Sequence, residues 1–400
     1  MDERQRLSVA DYAARAKEYE QAGDNQAAMR SYLIATHLQM LLLNPGNAAA
    51  SFEPCFELGL TLGRAGEDDR AQAAFRAALA IRPGHAKGWA NFGVLTDDCT
   101  ALRRAVRVAP DNADFHTNLA HALLNQGHFA EGFREWEWRA PSPPRDFSQP
   151  RWDGRPYPGR TLLIHAEQGF GDCIQFSRYL PRAARLGGRL VVEMRPPLAG
   201  PIARLDGVAE VVPWGEKLPP FDLHLPLPSL ANLFHGEETA APYLAADPAR
   251  VASWRDRVAA PGRRKVGLVW AGNPDGHDKR RALPFPPIEA LVRALPDIAF
   301  FSLQREGNDI CEGLTALGPA IGDFDDLAAA LASLDLLISV DTAAAHMAGA
   351  LGHEVWVLLR AGHDWRWRGD WYPRARLYRQ DKEGDWTRVL AKVTEDLGHL

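Results

Sequence analysis

Residues 335–359 read DLLISVDTAAAHMAGALGHEVWVLL. Leu336 to Val340 is an uninterrupted apolar run, the signature of a strand buried on both faces. It stops at Asp341-Thr342, two residues suited to cap a helix. The small-residue segment that follows predicts a helix ending at Gly352, and Trp356 to Leu359 predicts the next strand. Strand, helix and strand with almost no loop between make a βαβ unit. The first amides of such a helix lack carbonyl partners and sit at the positive end of its dipole, so an anion is their natural ligand. His346 stands one turn in on the face of Thr342 and offers a further donor. These residues alone also fit an ordinary capped helix, so the rest of the chain has to decide.

The second half of the chain repeats this rhythm. Lys265 to Trp270 predicts a buried strand that runs into Ala271-Gly272-Asn273-Pro274 and the cluster Lys279-Arg280-Arg281. Ile288 to Leu295 reads as a helix, and Ala299 to Leu303 as a strand ending at Gln304. Arginine forks placed after a strand's C-terminal end suit phosphate oxygens, although a solvated loop has the same composition. Asp323 and Asp325 imitate a metal-binding pair, but they directly precede the helix Leu327–Leu334, where capping accounts for them. No metal is expected.

A similar half comes earlier. Thr161 to Ile164 predicts a strand followed by His165-Ala-Glu-Gln-Gly-Phe-Gly-Asp172, a helix through Leu180 and a second strand at Arg189–Met194. Further strands are expected at Val211-Val212 and Phe221–Leu225. Gly169, Gly171 and Glu193, 22 residues after Gly171, imitate a dinucleotide fingerprint. Ile174 occupies the place of the third glycine, which argues against NAD or FAD. Gly169 and Gly171 instead allow a close approach of backbone to ligand. Asp172 is either an N-terminal cap or a carboxylate aimed into a cleft, where a general base belongs, with Glu167 as the backup.

The first 140 residues are different. Leu58-Gly59, Leu62, Gly66, Ala71, Phe75, Ala78 and Pro83 have the spacing of a tetratricopeptide repeat, with small residues where two helices touch and large ones beside them. Tyr12 to Ala35 and Phe115 to Trp136 fit the same frame. Trp89 to Ala105 fits a repeat shortened by seven residues. Residues 1–140 therefore predict an all-α solenoid of about four repeats, whose concave face suits a protein or peptide. Six prolines between 141 and 160 predict a stiff linker over 141–159.

Composition sets the outer bounds. The chain has 400 residues, 46% hydrophobic and 24% charged, with a formal net charge of −5. No basic block indicates nucleic acid. The four cysteines form no Cys-x-x-Cys pair, no apolar run is long enough to span a membrane, and the charged N-terminus is not a secretory signal. A cytoplasmic protein is expected.

Two Rossmann-like halves, residues 160–260 and 261–400, with ligand loops facing across a cleft, correspond to the GT-B architecture. Gly169-Phe-Gly-Asp172 and Asp341-Thr-Ala-Ala-Ala-His346 resemble the motifs of heptosyltransferase-type enzymes over roughly residues 160–385. The complete layout resembles bacterial tetratricopeptide-repeat glycosyltransferases, a group that includes candidates for flagellin glycosylation and distant analogues of O-GlcNAc transferase. The resemblance implies inverting, metal-independent transfer from a nucleotide-diphospho-sugar to an acceptor hydroxyl, with no cofactor beyond the donor. It makes Asp172 the base and places the donor's diphosphate on Asp341, Thr342 and His346. It assigns the basic role to Lys279, Arg280 or Arg281. Asn273 and Gln304 complete the expected donor site with Gly169 and Gly171. The heptosyltransferases lack the repeats and act on lipopolysaccharide core, so the array favours a protein acceptor here. A non-catalytic scaffold with a relic fold and a nucleotide-sugar epimerase are the alternatives. The amphipathic segment Trp386–Leu397 is expected to cross back to the first half, as is usual in this architecture.

Overall fold

The computed structural model describes residues 9–41, 48–140, 144–237, 240–272, 279–305, 309–362, 364–368 and 371–399. The chain forms two compact units, 1–140 and 141–400.

The first unit is a series of antiparallel helix pairs: α1 (Val9–Gln21) with α2 (Asn25–Leu41), α3 (Ala48–Arg64) with α4 (Asp68–Ile81), α5 (Ala86–Thr96) with α6 (Cys99–Val108), and α7 (Ala113–Asn125) with α8 (Phe129–Trp136). Glycines let the paired helices touch. A Cβ on Gly59 would lie 2.7 Å from the Phe75 ring, one on Gly93 2.6 Å from Leu102, and one on Gly132 2.7 Å from Leu124. The shortened third pair is present as expected. Its helices are joined through Asp97, which takes a left-handed conformation at φ 51°, and Asp98 caps α6 through the amides of Thr100 and Ala101.

The second unit holds two parallel sheets. The first has the order β3-β2-β1-β4, from β1 (Thr161–His165), β2 (Arg189–Met194), β3 (Glu210–Pro213) and β4 (Leu223–Pro226). Helices α9 (Phe170–Ser177), α10 (Leu180–Ala184), α11 (Ala199–Ala203) and α12 (Leu230–Phe234) accompany it, while α13 (Pro248–Arg257) packs against the helix Phe324–Ala332 of the second half. The second sheet runs β10-β9-β8-β5-β6-β7. Its strands are β5 (Arg264–Val269), β6 (Ile298–Ser302), β7 (Leu314–Ala316), β8 (Leu336–Val340), β9 (Val355–Leu359) and β10 (Ala375–Arg379). Helices α14 (Phe285–Ala294), α15 (Phe324–Ala332), α16 (Ala343–Ala350) and α17 (Thr387–Gly398) complete it. Its order is that of the doubly wound dinucleotide-binding fold, reversing direction between β5 and β8. Ligands of such sheets bind beyond the strands' C-terminal ends at the reversal, and Asp341 directly follows β8 there. In β6, β8 and β9 every residue is buried, which is why they read as apolar runs with Ser302 and Ser339 as the polar members.

Two expectations need correction. The proline-rich stretch is not a free-standing spacer. Arg151 bridges to His224 of β4, the Trp152 amide donates to the His224 carbonyl at 2.9 Å, and Trp152 and Tyr157 are buried. Their aromatic area outweighs the stiffness of the prolines, and the stretch becomes part of the first half's wall. Nor does α17 cross back. Val389, Val393 and Leu397 belong to the second sheet's own core with Trp356 and Tyr378, and α17 packs against α14 and β10. Among the described residues no helix is long and apolar enough to cross a membrane.

Candidate active site

The loop from β1 to α9 turns sharply at Gln168, a non-glycine residue at φ 69°. Such a conformation persists only where the surroundings hold it. Here Arg195 donates from Nε and Nη2 to the Gln168 carbonyl at 3.2 and 2.7 Å. The turn sets Asp172 in the first turn of α9. Its Oδ2 accepts the Gly169 amide at 3.3 Å, so the capping expectation holds for one of its oxygens. Its Oδ1 meets a residue from the other half: Arg366 donates to it from Nε and Nη2, both at 2.8 Å.

Arg366 lies in the short turn Trp365–Trp367, capped by Asp364, whose Oδ1 accepts the Arg366 amide at 3.0 Å. Its guanidinium also approaches Asp364 at 3.4 Å and packs 4.5 Å from the Trp365 ring centre. Burial works against the charge of Arg366, but the carboxylates of Asp172 and Asp364 outweigh it and push its pKa up, so it stays protonated. Burial opposes the charge of Asp364 in the same way, and Arg366 overrides it and holds that carboxyl below its usual range. The next residue, Trp367, donates Nε1 to Asp341 Oδ1 at 2.8 Å. One turn therefore holds both candidate acids, Asp172 of the first half and Asp341 of the second.

Asp341 is 7% exposed, and its Oδ2 accepts Arg281 Nη1 at 2.9 Å. Thr342 caps α16: its hydroxyl accepts the Ala345 amide at 3.5 Å and lies 2.8 Å from that of Ser339. The amides of Ala343 and Ala344 are left without helical carbonyl partners. His346 is almost completely buried, stacked 4.5 Å from Trp367, with Nδ1 3.0 Å from the Tyr372 hydroxyl and Nε2 3.9 Å from Asp341. Burial lowers its pKa to about 4, more than Asp341 and Asp172 raise it, so the imidazole is neutral near pH 7. It faces Gly171, where a Cβ would come within 2.8 Å of His346 Cδ2. The second glycine of the loop thus admits helix α9 against helix α16. Cys173, beside Asp172, is buried, which pushes its thiol up to about 12 and leaves it inert as a nucleophile.

The remaining expected residues stand apart. Gly169 adopts an extended conformation at φ −79° that any residue tolerates. Gln304 uses Oε1 to accept the Ala271 amide at 3.1 Å, which fixes the exit of β5. Arg280 is exposed in the turn Lys279–Arg281, while Asn273 lies outside the described residues. Asp323 caps α15 through the Asp326 amide and pairs with Arg250 at 2.8 Å, and Asp325 is buried against Arg204. Glu193 is buried and paired with Arg145 at 2.6 Å. Sequence reasoning missed Arg366, Asp364 and Tyr372. The one signal was the run Trp365-Arg366-Trp367, since two tryptophans in a polar loop need something to pack on.

A second arginine fastens the halves. Arg178, the residue that closes α9, is 1% exposed among the rings of Tyr243, Trp371 and Tyr372, at 4.9 to 5.0 Å from each centre. It donates to the Trp371 carbonyl at 3.2 Å from both terminal nitrogens, and aromatic faces stand where a carboxylate would otherwise be needed.

Residues 52–85 match the tetratricopeptide repeat family, so the repeat read in α3 and α4 is present. Protein FlbA of Caulobacter vibrioides is 29% identical over 345 residues, which cover 75% of this chain; the chain spans 57% of that protein's length. Among solved structures, the ADP-heptose lipopolysaccharide heptosyltransferase II of E. coli is similar over 60% of this chain and 98% of its own, at 13% identity and a TM-score of 0.45. An O-GlcNAc transferase variant of Thermobaculum terrenum aligns over 100% of this chain and 92% of its own, at 15% identity and a TM-score of 0.32. The chain is a tetratricopeptide-repeat solenoid followed by an α/β unit of two parallel, Rossmann-like sheets.

Proposed function

We propose that the protein is an inverting glycosyltransferase that moves a sugar from a nucleotide-diphospho-sugar to an acceptor hydroxyl, with a protein or peptide acceptor docked on the repeat array. The observation that carries this reading is the meeting of two loops, each at the C-terminal end of a parallel strand. The first brings Asp172 and the second brings Asp341, Thr342 and the start of α16, with Gly171 touching His346 between them.

Asp172 would take the proton of the acceptor hydroxyl as its oxygen attacks the anomeric carbon from the face opposite the diphosphate. The bond from that carbon to the phosphate oxygen breaks, and its electron pair leaves on the diphosphate. Negative charge then grows near the first amides of α16 and the arginines at positions 280 and 281, fixed positive groups that stabilise the leaving group and do the work a metal ion does elsewhere. Trp367 and Arg281 orient Asp341, and neutral His346 packs beneath it within α16 and adds no charge of its own.

One observation favours a second reading, a non-catalytic scaffold that keeps the fold: both candidate acids are already ion-paired, Asp172 with Arg366 and Asp341 with Arg281. Calorimetric titration of the full chain with UDP-, GDP- and ADP-sugars separates the two. The transferase reading expects one of them to bind with micromolar to millimolar affinity. Absence of binding across the panel favours the scaffold.

A further inference from the structure

The two interface arginines differ in a way that matters for the reaction. Arg178 is sealed among aromatic rings and tied to a main-chain carbonyl, so it is a fixed rivet. Arg366 is tied to a carboxylate, and its side chain is 21% exposed and that of Asp172 14%, so this contact is not sealed as that of Arg178 is. Two of its nitrogens converge on Oδ1 of Asp172, and Oδ2 is engaged by the Gly169 amide. In this arrangement the guanidinium occupies Oδ1 of the candidate base, and Oδ2 carries the Gly169 amide. The guanidinium is also within the field of three carboxylates, those of Asp172, Asp364 and Asp341. An anion arriving beside it competes with Asp172 for the one guanidinium.

Resting on the transferase reading, we propose that Arg366 is a donor-responsive latch on Asp172: without donor it holds the carboxylate in an ion pair, and the incoming diphosphate draws the guanidinium away and frees the base. The exchange needs only rotation of the long Arg366 side chain, while Arg178 keeps α9 in place. Oδ1 then accepts the acceptor's proton, and the electron pair of the broken sugar–phosphate bond leaves on the diphosphate beside Arg366. The latch makes the order of events donor first, and it suppresses general-base activity in the empty enzyme. Arg366 is on this account a positioning residue toward Asp172 and a binding residue toward the donor.

The competition has a signature that a structural salt bridge lacks. If diphosphate and Asp172 compete for one guanidinium, removing the carboxylate must strengthen binding of the nucleotide. Calorimetric titration of the full chain with UDP, GDP and ADP, each separately, is compared for wild type, Asp172→Asn, Arg366→Met and the double variant, with thermal melts confirming the fold of each. The latch predicts that Asp172→Asn binds the preferred nucleotide about 5- to 20-fold more tightly than wild type. It predicts that Arg366→Met binds at least 10-fold more weakly, that the double variant matches Arg366→Met, and that Arg366→Lys recovers part of the loss. Nucleotide binding that Asp172→Asn leaves unchanged or weakens overturns the latch and leaves the transferase reading standing. No binding to any of the four proteins overturns both. Should Arg366→Met fail to fold, the gain in Asp172→Asn against wild type still decides the matter.

Discussion

At the scale of single residues, Gly171 is a tightly constrained position of the site. A methyl group there would collide with the imidazole of His346, which is itself wedged between Trp367 and Tyr372 and cannot swing away. Gly171→Ala should therefore push α9 from α16 and cost about 1–3 kcal/mol, the usual penalty of overfilling a packed contact. A urea melt of the α/β unit reads this as a lowered midpoint, and an unchanged midpoint would show that the contact yields. The Gly-x-Gly pattern marked Gly171 in the sequence as a place where backbone nears a ligand, and the structure adds that this glycine admits a neighbouring helix. Asp172 was legible from its place after a buried strand. Arg366 was not, because the pair it forms with Asp172 joins residues 194 apart and leaves no local pattern.

At the scale of elements, β8, α16 and β9 were legible in full, since two apolar runs, a capping pair and a terminal glycine leave little else for the segment to do. The unit also carries two neutral histidines, the buried His346 within α16 and the half-buried His353 after it, each with its pKa lowered by burial to about 4. The sign of the effect follows from comparing the two states. Above pH 6.5 neither the folded nor the unfolded chain protonates them. Between pH 6.5 and 4 the unfolded chain takes up protons that the folded one refuses, so stability falls with pH by about 1.4 kcal/mol per unit for each histidine. Below about pH 4 the folded state takes up its protons as well, and this contribution stops changing. Urea midpoints should therefore drop between pH 6.5 and 5, above the range where most carboxylates titrate, and His353→Gln should make the slope shallower. A flat profile over that interval would contradict the burial assigned to both rings. Element faces were easier to read than element partners. Val389, Val393 and Leu397 marked the inner side of α17, but nothing in their spacing said which sheet would receive it.

At the scale of the whole molecule, the division into solenoid and α/β unit followed from two periodicities that do not mix, repeat-spaced glycines and alanines in residues 1–140 and buried parallel strands after residue 160. The stretch between was misread because prolines were weighed above Trp152 and Tyr157, whose burial makes it part of a wall. The account's central claim is that Asp172 is a general base working on a bound nucleotide sugar. It is tested most directly by the rate at which the full chain releases nucleoside diphosphate from the nucleotide sugar it binds, with and without Asp172→Asn. Loss of a general base costs about 10²–10⁴-fold in rate. The account predicts a fall of that size in the variant while the nucleotide sugar still binds. Equal release by wild type and Asp172→Asn, with binding intact in both, would contradict it.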